Sequence, residues 1–235
     1  MQSEKRHSSS RERKPALPAI DAALRATVPG LRVKRLGLVE FGPAYAAMRQ
    51  FTTSRQDNTP DELWILQHAP VYTAGLACRP EHLPRASSIP LERVDRGGQI
   101  TYHGPGQVVI YTLLDLARRR LRIRPLVSLI EQAVIDTLAR HGVPAQRKSG
   151  APGVYVNGAK IAALGLRVRS PGCYHGVALN VDMDLAPFGA IDPCGFPGLA
   201  VTQTRDLGIT ASAAELGDAL AGELRRLLEQ HELGR

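Results

Sequence analysis

GVYVNGAKIAALGLRV, residues 153 to 168, decides what kind of sheet this chain builds. Asn157-Gly158 stands between two apolar runs, and an Asn-Gly pair at such a junction is the strongest short signal for a two-residue hairpin, because both residues tolerate positive φ. Two antiparallel strands are expected to meet here, and Lys160 opens the second. Its ammonium would lie at the rim of an apolar strand, IAALGL, rather than on an ordinary solvated face.

Further strands are expected outward from this hairpin. CYHGVALNV (173 to 181) follows it, while LWILQHA (63 to 69), Leu91 to Val94, Gln107 to Leu114 and a β-like run from Leu31 to Phe41 precede it. Between two of these, RGGQITYHGPG (96 to 106) reads as a glycine-rich loop. Pro43 suits the first turn of a helix over PAYAAMRQFTTSRQ. Leu126, Leu129, Ile130, Ala133, Val134 and Leu138 recur at helical spacing up to about Gly142, and Leu216, Leu220, Leu224, Leu227 and Leu228 do so near the C-terminus. Hairpin-linked strands with a few long helices predict an α+β fold, a single domain with a mixed β-sheet covered by helices.

A chain of 235 residues can bury a full apolar core. Residues 1 to 19 are polar, charged and serine-rich, and are expected to form a disordered arm. They contain no secretory pattern, and no apolar run reaches the roughly 18 residues of a membrane span, so a cytoplasmic location away from membranes is expected. Of the net charge of +8, three charges fall within residues 1 to 14 and five remain on the body. That balance favours acidic partners, but scattered basic residues and 5% aromatics argue against nucleic acid. The three cysteines, Cys78, Cys173 and Cys194, have no metal-binding spacing and read as free thiols, so no metal or cofactor is expected.

Cys194 lies in LAPFGAIDPCGFPGL (185 to 199), between Pro193 and Gly195. A cysteine in such a loop can serve as a nucleophile with backbone N–H groups free for an oxyanion, although free cysteines are also among the most buried residues. His103 and His175 each precede a glycine that would let a ligand approach. Cysteine–histidine and cysteine–lysine pairings both remain open on these residues alone.

Five segments together resemble the lipoyl(octanoyl) transferase family: LWILQHAPVYTAG (63 to 75), RGGQITYHGPGQVVIY (96 to 111), RKSGAPGVYVNGAKIAALGLRV (147 to 168), YHGVALNVDMDLAPF (174 to 188) and IDPCG (191 to 195). The resemblance runs from about Leu31 to Gly208, departs at TAGLACRPEHL (73 to 83) and omits the N-terminal arm. It implies a fold like that of biotin and lipoate protein ligases, with residues 20 to 235 as the acyltransferase catalytic domain. It also implies Cys194 as thioester nucleophile and Lys160 as its ionic partner. Substrate contacts are implied along Arg96, Gly97, Gly98, Gln99, Ile100, Thr101, Tyr102 and His103, at Ala163, Leu164 and Gly165, and at Gly176, Val177 and Ala178. The implied donor is octanoyl-acyl carrier protein. The implied acceptors are lipoyl domains of 2-oxoacid dehydrogenase acyltransferase subunits and the glycine cleavage H protein. An ATP-dependent lipoate or biotin ligase is the nearest alternative, and a catalytically silent lipoyl-domain binder a second.

Overall fold

A computed structural model describes residues 30–84, 87–192 and 198–234. The expected N-terminal arm lies outside the described residues, and so does Cys194.

Seven strands form the main sheet in the order β1-β2-β6-β10-β9-β8-β7. They are β1 (Leu31–Val39), β2 (Asp61–His68), β6 (Gln107–Asp115), β7 (Gln146–Arg147), β8 (Val154–Val156), β9 (Ala159–Arg169) and β10 (Gly172–Asn180). β1 runs parallel to β2 and the other pairs are antiparallel, so the sheet is mixed. A second, three-stranded sheet has the order β4-β3-β5, from β4 (Leu91–Arg93), β3 (Val71–Ala74) and β5 (Ile100–His103).

Helices α2 (Ile123–Ala139) and α3 (Ala213–Leu233) cover one face of the main sheet. Leu126, Ile130, Leu216, Leu220 and Leu224 pack there against Leu63, Ile110, Ile161, Val177 and Leu179. Ser212 and Glu215 form a capping box at the start of α3, satisfying backbone donors that would otherwise be orphaned. On the opposite face, α1 (Phe41–Thr53) sets Ala44 and Met48 against Trp64, Tyr111, Tyr174 and Ala178. The small sheet packs Tyr72, Ile100 and Tyr102 against Met183, Phe188 and Ile191.

The expected hairpin closes as a two-residue turn, with Asn157 at φ 49° and Gly158 at φ 84° between the paired Val156 and Ala159. Two other expectations need correction. RGGQITYHGPG is not a loop throughout, because Ile100–His103 pairs antiparallel with Val71–Ala74, a four-residue strand too short to register as a periodic run. The first helix begins at Phe41 and ends at Thr53, which leaves Pro43 inside the first turn, where its missing N–H costs nothing.

Candidate active site

Lys160 owes its position to a bulge. Val154 pairs with Ala162 but Tyr155 pairs with Lys160, so Ile161 is an extra residue in β9. Ile161 and Ala162, though consecutive, both join the core under α2 and α3. Strand alternation is interrupted there, and Lys160 falls on the opposite face, in line with Ala163 and Gly165. The residue is 3% exposed, so its ammonium is buried rather than at a rim. Nζ donates to the Pro152 carbonyl at 3.0 Å and lies 5.3 Å from the centroid of the Tyr155 ring. The backbone of Lys160 is bonded to the segment after Cys194: its N–H donates to the Ala200 carbonyl at 2.8 Å, and Thr202 N–H donates to its carbonyl at 3.0 Å.

On the Lys160 face of β9, a cleft lies between the main and small sheets. Arg96, Gly98, Gln99, Ile100, Thr101, His103, Ala163, Leu164, Gly165, Gly176, Val177 and Ala178 all line it. Two of the expected contact residues do not. Gly97 is held by its N–H on the Leu166 carbonyl at 3.0 Å, and the Tyr102 ring packs against Tyr72 and Phe188. Phe41, Thr73, Val109, Tyr111 and His175 complete the lining. The first four carry no sequence mark of cleft residues, because they sit inside an ordinary helix start and apolar strands.

The glycines here serve the backbone more than a ligand. A Cβ on Gly176 would stand 2.0 Å from the Ile110 carbonyl oxygen, one on Gly104 would stand 2.4 Å from the Tyr102 hydroxyl, and Gly98 has a φ of +82°. A Cβ on Gly165 would meet Arg96 Cδ at 3.0 Å, so the arginine stem occupies the space that this glycine leaves. Arg96 is fixed by donating from Nη2 to the Thr73 carbonyl at 2.6 Å and to Thr73 Oγ1 at 2.9 Å.

Two buried imidazoles, His103 and His175, line the cleft, and a third, His68, lies behind Phe41 and Tyr111. His103 Nδ1 is 2.7 Å from Gln107 Oε1, whose amide nitrogen donates to the Tyr102 carbonyl and to Asn180 Oδ1. Gln107 Oε1 is therefore the acceptor, Nδ1 carries the proton, and Nε2 accepts from Thr73 Oγ1 at 3.3 Å. Burial, with a smaller push from nearby His68, lowers His103 to about 3. His68 donates from Nδ1 to the Val39 carbonyl and accepts the Tyr111 hydroxyl at Nε2, and burial lowers it to about 4.

His175 is held at φ +64°, a left-handed conformation that is strained for a side chain of this size. The turn swings its ring against Tyr45 and Tyr174, with Nε2 3.5 Å from Asp95 Oδ1. Burial, then the charge of Arg96, lowers it to about 4 despite that carboxylate. Burial raises the Asp95 carboxyl, but hydrogen bonds from Tyr174, Tyr45 and His175 outweigh it and leave it below its usual range. With their values lowered that far, the three imidazoles are uncharged at neutral pH.

Residues 43–225 match the family described as the lipoyl protein ligase A/B catalytic domain. A protein named octanoyltransferase from Aromatoleum aromaticum is 60% identical over 203 residues, 86% of this chain and 88% of that protein. A second of the same name, from Dechloromonas aromatica, is 59% identical over 84% of this chain and 97% of its own length. Among solved structures, a putative lipoate protein ligase from T. acidophilum superposes with a TM-score of 0.68 at 19% identity, covering 86% of each chain. Biotin protein ligase from Aquifex aeolicus gives 0.52 at 11% identity, covering 86% of this chain and 71% of its own, a likeness of fold alone.

Proposed function

This chain belongs to the lipoyl protein ligase A/B catalytic domain family, and from that premise we propose how it acts as an octanoyltransferase. Cys194 takes an octanoyl group from an acyl carrier protein thioester and passes it to the acceptor lysine of a lipoyl domain. The activity rests on about 60% identity to octanoyltransferases across most of both chains. The single observation that supports the residue roles is the backbone pairing of Lys160 with Ala200 and Thr202. Five residues separate Cys194 from Ala200, so the chain after the thiol is tied directly to the strand position that carries the ammonium.

A free thiol with a pKa near 8.5 is only a few per cent ionised at neutral pH, so it needs activation. An ammonium about 4 Å away at an effective dielectric near 20 contributes roughly 4 kcal/mol, about three pKa units before desolvation is subtracted. In the first half-reaction the Cys194 thiolate attacks the thioester carbonyl, Lys160 gives its proton to the departing pantetheine thiol, and an octanoyl thioester remains on Cys194. In the second, the acceptor amine attacks that thioester, neutral Lys160 takes the amine proton, and the amide leaves as the thiolate–ammonium pair is restored. Thioester to amide is downhill, so no nucleotide is required. The proposed acceptors are lipoyl domains of 2-oxoacid dehydrogenases and the H protein. A cytoplasmic location is proposed with them; no helix among the described residues is long and apolar enough to cross a membrane.

The test is intact mass and peptide mapping after incubation with octanoyl-acyl carrier protein in the absence of nucleotide. One octanoyl group on Cys194, chased onto an added lipoyl domain, is the expected result. Transfer that requires ATP and leaves Cys194 unmodified would instead establish the ligase alternative.

A further inference from the structure

A buried lysine that must stay charged at rest and give up its proton in each cycle needs a seat that favours the ammonium. The described surroundings of Lys160 supply two parts of one. Its Nζ lies over the Tyr155 ring and donates to the Pro152 carbonyl, both of which favour the charged form. Tyr155 is itself 2% exposed, and its hydroxyl donates to the Ala151 carbonyl at 3.0 Å, closing the short turn that presents Pro152. The same turn is pinned to α2, because Gly153 N–H donates to Glu131 Oε1 at 3.0 Å.

We propose that Tyr155 is a positioning residue for Lys160: its ring face holds the ammonium, and its hydroxyl holds the turn whose carbonyl orients Nζ. The proposal rests on the reading of Lys160 as the proton-cycling partner of Cys194, but its test does not. Other charged or titratable groups bear on this ammonium. Lys148 Nζ lies 5.9 Å from the same ring centroid, a like charge that works against the seat. Glu131 and Arg147, paired at 3.1 Å, stand behind Gly153 and partly cancel. Cys194, outside the described residues, is the partner in the proposed chemistry.

The ring and the hydroxyl can be separated. Tyr155→Phe keeps the aromatic face and loses the clasp on Ala151, whereas Tyr155→Leu loses both. A trifluorinated phenylalanine at 155 keeps the shape of Tyr155→Phe but withdraws electron density from the face. It serves as the decisive variant even if the leucine variant does not fold. The chain has five lysines, so the Cε signal of Lys160 can be assigned with Lys160→Arg and titrated by NMR after labelling. Weakening the ring face removes stabilisation of the charged form, so the titration of Lys160 moves to lower pH. Relative to Tyr155→Phe, the shift should be about half a unit to one unit in the fluorinated variant. The alkaline limb of kcat/KM should move with it, while KM for the acceptor stays within about twofold. A fluorinated variant that titrates with Tyr155→Phe would overturn the proposal, whatever its activity. Full transfer by Lys160→Ala would instead remove the proton-cycling role of Lys160, and would leave the titration result standing as chemistry of the site.

Discussion

Gly153 lies so close to Lys160 that a Cβ added to it would stand 2.8 Å from Lys160 Cε and 3.1 Å from Nζ. It would also stand 2.7 Å from the Ala162 carbonyl oxygen, and the φ of +137° is one that side chains rarely adopt. The flexible lysine tip can give way and the backbone cannot. Gly153→Ala should therefore cost about 1 to 3 kcal/mol of stability and push the ammonium off its seat. Thermal melting and turnover measured side by side should show a folded protein with transfer reduced at least tenfold on the order of one lost charge-assisted contact. Parent-like turnover in the folded variant would show that the position of Nζ is not critical.

The three thiols should separate by reactivity. Burial pushes Cys173 up to about 12, and burial also raises Cys78 above the ordinary thiol value. Alkylation by iodoacetamide at pH 7 should thus fall first on Cys194, with Cys78 slower and Cys173 protected until the fold opens. Cys194→Ser should abolish transfer, whereas Cys78→Ser should retain most of it. Peptide mapping over a time course reads the order directly, and early labelling of Cys173 would contradict the fold around β10.

The neutral histidines make stability fall with acid. His68, His103 and His175 are lowered to about 4, 3 and 4, below the unfolded value near 6.5. Between those values the unfolded chain binds more protons than the folded one, so unfolding free energy rises with pH across that window and is lost as pH falls from 6.5 toward 4. Each imidazole should cost roughly 1.5 kcal/mol between pH 6.5 and 5. Urea midpoints over this range should drop steeply, and His103→Gln, which cannot take up that proton, should flatten the curve. An unchanged slope in that variant would mean that His103 is charged in the fold.

The hairpin, the two-helix cover and most strands were legible because each is a local pattern. Asn157-Gly158 needs positive φ at both positions, and the leucines of α3 repeat at helical spacing. The burial of Lys160 was not legible, since it depends on the extra residue Ile161, and a bulge leaves no mark in a run of apolar residues. Nor was the placement of Asp95. It stands beside Arg96 in the sequence, but its partners Tyr45 and Tyr174 come from a helix and a strand far away in the chain. The left-handed turn at His175 is similarly a tertiary matter. Only the glycine that follows it hinted that the backbone was unusual there.

The last prediction concerns the acyl chain, and the glycine-rich loop is the wrong place to probe it. Gly98 has a φ of +82°, so Gly98→Val would strain the backbone whatever the ligand. Ala163 and Ala178 are Cα partners on adjacent strands, both line the cleft, and neither has a special φ. Ala178 also packs beneath α1, whereas Ala163 is half-buried, so Ala163 is the position where cleft volume can be changed without overfilling the core. If the octanoyl chain lies along this face, each buried methylene contributes roughly 0.8 kcal/mol, and removing two carbons from the donor should lower kcat/KM about fifteen-fold. Ala163→Val should fill part of the cleft and penalise octanoyl donors more than butanoyl donors, because only the longer chain must share that space. The measurement is kcat/KM for butanoyl, hexanoyl and octanoyl carrier proteins with the parent and with Ala163→Val. A flat profile for the parent would mean that the chain is not bound in the cleft at all. A steep parent profile that Ala163→Val leaves unchanged would place the chain on the opposite wall, against Thr73, Ile100 and Thr101.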